Sequence, residues 1–114
     1  MDLDSLVVKI KNVSNDLVIQ SIADKLQNWK EDDTTIKELN VNIDRHIGHS
    51  WIQKDDEHEV VYDLWSSFRD NEINDIDGMT MNERLYTFNL MEKYESCFTK
   101  NCKLKIYTKL HATP

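Results

Sequence analysis

The sequence predicts an all-α protein, a single compact bundle of about five helices with residues 1–114 forming one domain. Three observations carry this prediction. Helix breakers are scarce: there are two glycines and one proline, which is the last residue, whereas a sandwich or barrel needs frequent turn residues. Apolar residues recur at intervals of three and four through most of the chain. Two segments also open on the Thr-x-x-Glu spacing of a capping box, Thr35 with Glu38 and Thr80 with Glu83, in which each side chain satisfies a free amide at a helix start. A chain of 114 residues buries roughly 65% of its unfolded surface, enough for a core without covalent staples.

In chain order, Leu3, Leu6, Val7, Ile10 and Val13 stand at helical spacing. The stretch "VVKIK" alternates like a strand, but the wider pattern favours a helix. Ser14 or Asn15 is the expected N-cap of the next helix. Its stripe is Val18, Ile19, Ile22, Leu26 and Trp29, and it ends at "KEDD". Thr35 starts a third helix with the stripe Ile36, Leu39, Ile43 and Ile47. Gly48 suits the position just past its end, where a left-handed backbone costs glycine little, and a loop carrying Trp51 follows.

The fourth helix starts around "DDEHE", with acids in the first turn where the helix dipole favours them. Val60, Val61, Leu64, Trp65 and Phe68 are its expected buried face. A loop, "DNEINDIDGM", runs to Thr80. The apolar residues after it, Leu85, Phe88, Leu90, Met91 and Tyr94, cover more than one stripe, as in a largely buried helix. In the last segment, "KNCKLKIYTKLHA", Leu104, Tyr107 and Leu110 fit one helix face, and helix is preferred to strand. Trp29 and Trp65 lie on apolar stripes and are expected in the core. Trp51 either packs over helix ends or anchors a partner.

Lys and Arg number 14 and Asp and Glu 21, a net charge of −7. So acidic a chain is poorly suited to phosphate backbones, whose binding requires cations that displace counterions. Meeting a basic protein suits it better. No apolar run approaches the ~20 residues of a membrane span, and "MDLDSLVVKIKN" lacks the features of a secretory signal. Cys97 and Cys102, without such a signal, read as reduced thiols, which places the protein in the cytoplasm.

Candidate chemistries fail on residue type. With Gly78 at the sixth position of a calcium loop, Asp75 and Asp77 fall correctly at three and five. Position one is then Ile73 and position twelve Arg84, neither of which replaces a carboxylate. His46 and His49 flank Gly48, His58 and His111 are isolated, and there is no C-x-x-C, so no zinc set assembles. Neither a nucleophile elbow nor a phosphate-binding glycine loop is present. The sequence therefore predicts no enzyme, no cofactor, no metal and no small-molecule substrate.

Charge distribution is the unusual feature. From Asp55 to Glu83 there are ten carboxylates against the single cation Arg69, a local charge of −9. After Phe98 the sign reverses, with Lys100, Lys103, Lys105 and Lys109 and no acid. One reading is a solvated acidic face partly neutralised by the basic tail. The other is a patch complementary to a basic ligand, which accelerates association at low salt.

The segments "IDRHIGHSW", "EVVYDLWSSFRD" and "GMTMNERLYTFNLMEKYE" resemble parts of small bacterial immunity proteins of contact-dependent growth inhibition and related polymorphic toxin systems. The resemblance covers about half of the chain, chiefly residues 43–95, and brings no catalytic residues. It implies a cytoplasmic protein that binds and neutralises a cognate toxin domain, a nuclease and an RNase before a DNase, by covering its basic substrate surface. The toxin-binding residues expected on that reading are Asp70, Glu72, Asp75 and Asp77, then Asp55, Asp56, Glu57 and Trp51. Asn82 and Arg84 are expected to be available for contacts or for a bridge to the acidic loop. The lysine-rich tail should sit away from the toxin or fold back onto the acidic face. The alternative from another class is a small helical regulatory adaptor or transcriptional antitoxin, for which only residues 100–109 offer a basic recognition helix.

Overall fold

In the computed structural model, which describes residues 1–50 and 56–114, seven α-helices and two short helical turns follow one another, with no strand among the described residues. They are α1 Leu3–Lys11, α2 Leu17–Trp29, α3 Ile36–Ser50, α4 Asp56–Phe68, a π-turn Arg69–Ile73, a 3-10 turn Ile76–Gly78, α5 Met81–Thr87, α6 Met91–Glu95 and α7 Lys100–Lys109. The all-α prediction holds, and the count rises from about five to seven. The extra helix in the second half arises where the expected fifth helix breaks at Phe88–Leu90. There Asn89 adopts a left-handed backbone, φ 57°, one of the few non-glycine residues that do so readily. Its side chain also ties the break to α1: Asn89 Oδ1 accepts from the Asp4 amide at 2.8 Å, and Nδ2 donates to Asp2 at 3.3 Å.

The stripes fold inward much as their spacing implies. Leu3, Leu6, Val7 and Ile10 of α1 meet Ile19, Ile22, Ala23, Leu26 and Trp29 of α2, and Ile36, Leu39, Ile43 and Ile47 of α3 are buried beside them. α1 packs on both α2 and α4, while α3 packs on α2 and the π-turn. Through the centre runs an aromatic chain in which Trp29 meets Phe88 edge-on at 6.0 Å, Phe88 meets Phe68 at 5.8 Å and Phe68 meets Trp65 at 6.4 Å. Such edge contacts add to the apolar burial of these rings. Both indoles also find acceptors, Trp29 Nε1 on Thr34 O at 3.0 Å and Trp65 Nε1 on Asp44 Oδ1 at 2.8 Å. The body measures 46 × 24 × 21 Å.

Several local expectations are corrected. The α2 cap is Asp16, not Ser14 or Asn15: its carboxylate accepts from the amides of Val18 and Ile19 at 2.8 and 3.2 Å, while Ser14 Oγ accepts from the Asp16 amide one step earlier. Gly48 lies inside α3, which continues to Ser50. Val60 is 48% exposed, because α4 turns Val61, Trp65 and Phe68 inward and a neighbour one residue away lies about 100° around the helix. On α7 the buried residues are Ile106 and Lys109, followed by the buried C-cap Leu110, with Leu104 and Tyr107 half-buried. The apolar stripe alone did not reveal that a lysine shares the inner face.

The cysteines are not reduced thiols: Cys97 and Cys102 form a disulfide. Thr99 caps α7 by accepting the Cys102 amide at 3.1 Å, so the chain reverses between α6 and α7. This brings the two Cα atoms to 5.6 Å, within bridging range.

Candidate functional site

The acidic segment begins where α4 ends. Phe68 and Trp65 are buried, which turns Asp63 and Asp70 outward on the opposite face. Arg69, the one cation of the stretch, is engaged on both sides: Nη1 lies 3.1 Å from Asp44 Oδ1 and Nε 3.0 Å from Asp70 Oδ1. The bond to Asp70, with smaller contributions from Tyr62 and Asp44, holds the guanidinium further above its already high value. Arg69 is thus consumed in bracing α3 against the π-turn, and Asp70 is the one acid of the loop that it partly neutralises. Asn74 Nδ2 also donates to Asp70 at 3.2 Å.

Beyond Asp70 the loop is more ordered than its sequence suggests. Ile73 closes the π-turn and Ile76 opens the 3-10 turn, and both are fully buried. With those two pinned in the core, Asp75 and Asp77 are exposed. Asp75 has no side-chain partner among the described residues. Asp77 lies 3.6 Å from His111 Nε2. Glu72 is half-buried, 3.6 Å from the Met1 amino nitrogen.

The other candidates are placed differently. Asp56 and Glu57 are exposed in the first turn of α4, and the helix rise puts them about 20 Å from Asp70. Glu59 and Asp63, both exposed, lie between them at three- and four-residue steps from Asp56. Asp56, Glu59 and Asp63 therefore make one outward stripe along α4, with the exposed Asp70 following in the π-turn. Asp55 and Trp51 lie outside the described residues.

Two basic residues behave unlike their sequence reading. Arg84 is buried, 7% exposed, and Nη1 donates to the carbonyls of Leu110 and His111 at 3.2 and 2.7 Å. It closes the C-terminal end of α7, and among the described residues its side chain makes no hydrogen bond or ion pair to the acidic loop. The missed signal was its place beside Leu85 on the inner face of α5, with Phe88 one turn further on. Lys109 is likewise withdrawn, bound to Asp32 and Thr34 of the α2–α3 connection. No lysine of the tail reaches Asp70–Asp77. Lys103 instead lies 5.3 Å from the centre of the Tyr94 ring.

Two further surface features went unnoticed in the sequence. Phe98, inside the disulfide-closed turn, is 99% exposed. Tyr86 is 72% exposed beside a shallow groove that runs from Glu72 over α5 to Glu95 and includes Met79, Glu83 and Met91. Glu83 belongs to a complete capping box: Thr80 Oγ1 accepts the Glu83 amide at 3.1 Å and Glu83 Oε1 accepts the Thr80 amide at 3.0 Å. The bond from the Thr80 amide holds the Glu83 carboxyl below its ordinary range.

No group of three or more metal-binding side chains assembles among the described residues, and no described helix is long and apolar enough to cross a membrane. Comparison with known proteins found no matching family model, no matching curated protein and no matching solved structure.

Proposed function

We propose that this chain is an immunity protein that neutralises a cognate basic toxin domain, a nuclease and an RNase before a DNase. The observation that carries this reading is the setting of Asp75 and Asp77. Two buried isoleucines hold them outward, and the two cations flanking them in sequence are engaged elsewhere, Arg69 on Asp44 and Asp70 and Arg84 on the carbonyls of Leu110 and His111. A nuclease surface is cationic where it holds phosphates, so a fixed row of carboxylates can occupy it in place of the nucleic acid. The stripe Asp56, Glu59 and Asp63 adds further negative charge along α4. The resemblance of residues 43–95 to immunity proteins supports the same reading.

The test is to examine the neighbouring genes and co-express this chain with the C-terminal domain of any large secreted protein encoded there. The wild-type chain should restore growth. The double variant Asp75→Lys, Asp77→Lys should associate more slowly, with the largest difference at low salt. Undiminished binding and protection by that variant would remove the loop from the interface.

A further inference from the structure

The groove over α5 and α6 carries an inference of its own. Its floor is Met79 and Met91, both half-buried against the core, with Tyr86 standing out at the side. Glu72, Glu83 and Glu95 line it, and among the described residues no lysine or arginine does; the Met1 amino group, 3.6 Å from Glu72, leaves Glu83 and Glu95 as the open carboxylates. Arg84 and Leu85 are drawn into the core, and a residue one step further on lies about 100° around the helix. The register of α5 therefore sends Tyr86 to the surface, where the fold gains little from its ring. The capping box holds the Glu83 carboxylate at the mouth of the helix, with Oε1 accepting the Thr80 amide. Glu95 is exposed with no partner among the described residues.

Each component suits binding more than folding. Methionine is unbranched and polarisable and adapts to an incoming apolar group. Tyrosine is enriched among residues that dominate interfaces. Carboxylates around an apolar floor attract a cation at its edge and reject an acidic ligand.

We propose that this groove docks a segment of a partner protein in which an apolar side chain is flanked by lysine or arginine. The apolar group enters between Met79 and Met91 against Tyr86, and its cationic neighbours meet Glu83 and Glu95. The partner class rests on the inhibitor reading above, which this inference deepens by naming the chemistry of the contacting segment.

The test uses a synthetic amphipathic helical peptide of leucine and lysine, with its leucine–glutamate twin as control, and the full chain labelled at its methionine methyls. The lysine peptide should shift the Met79 and Met91 signals, and the glutamate twin should shift none. Tyr86→Ala and Glu95→Lys alter exposed positions, and each should weaken binding on the order of tenfold. Wild-type affinity in both variants, or binding of the lysine peptide that leaves the Met79 and Met91 signals unmoved, would overturn the proposal. Growth rescue by the unaltered chain is scored separately. Failure there with a positive peptide result removes the immunity reading and leaves the groove assignment standing.

Discussion

The Lys109 ammonium lies 4.1 Å from the centroid of the Trp29 ring and within 2.8 Å of the carbonyl oxygens of both Asp32 and Thr34. Asp32 Oδ1 adds a fourth contact at 3.2 Å. The side chain is only 9% exposed, so one lysine fastens α7 to the α2–α3 connection across 77 positions of sequence. Lys109→Met keeps the length of the stem but strands these acceptors. It should cost about 1–3 kcal/mol of unfolding free energy, read as a lower urea midpoint with unchanged slope. A midpoint equal to wild type would show that the stem and not the charge holds the joint.

Arg84 makes the second such tie, from α5 to the carbonyls of Leu110 and His111. Arg84→Met should destabilise by about 1.5–3 kcal/mol, the range for hydrogen bonds involving a charged group. Amide exchange should accelerate first at the C-terminal turn of α7. Uniform acceleration through the chain would argue against a local closing role.

Thr80→Ala removes the hydroxyl half of the α5 capping box. A loss of about 1 kcal/mol is expected, together with faster exchange at the Glu83 amide that the hydroxyl now holds. Thr80→Ser should restore both.

Phe98 is the opposite case, a large apolar side chain that contributes almost nothing to the core at 99% exposure. Phe98→Ser should leave stability within about 0.5 kcal/mol of wild type. A larger loss in thermal unfolding would mean that the ring is covered in solution.

His46 supplies a pH dependence. Burial lowers its value below 6.5, with Lys25 adding to the effect, and Nε2 lies 3.0 Å from Ser21 Oγ. The unfolded chain therefore binds more protons than the folded one below about pH 6.5, and stability falls as pH drops into that range. His46→Gln should flatten this portion of the Tm profile. Asp2, Asp16 and Glu83 are held below their ordinary values by amide and side-chain hydrogen bonds. Their contribution is intact above about pH 4 and is lost only as pH falls further, so a second, more acidic decline should survive in the variant.

The sequence by itself determined that the chain is all-helical and where most helices lie, but not the break at Asn89 that divides the expected fifth helix. Apolar spacing and capping are local properties, set by which face a residue occupies and by amides within one turn. The stripes of α1, α2 and α3 and the box at Thr80 could therefore be read without knowing what they pack against. It also determined that acids crowd residues 55–83 and that no calcium or zinc set has the required residue types. Where local signals compete within a few residues, as among Ser14, Asn15 and Asp16, position alone did not select the cap.

Only the tertiary structure decided what each charge does. Arg69 is spent on Asp44, Arg84 on the end of α7, and Lys109 beneath Trp29, each through a partner 25 or more positions away. Formal charge in a sequence is the same whether a group is solvated or buried and paired, whereas its availability to a partner depends on which distant carbonyls and carboxylates the fold brings alongside. The same reasoning separates Asp56 and Glu57 from Asp75 and Asp77, close in sequence but at opposite ends of α4 and its π-turn. It also explains the groove of Met79, Tyr86 and Met91: its parts belong to a connection and two short helices, and only their packing sets them side by side.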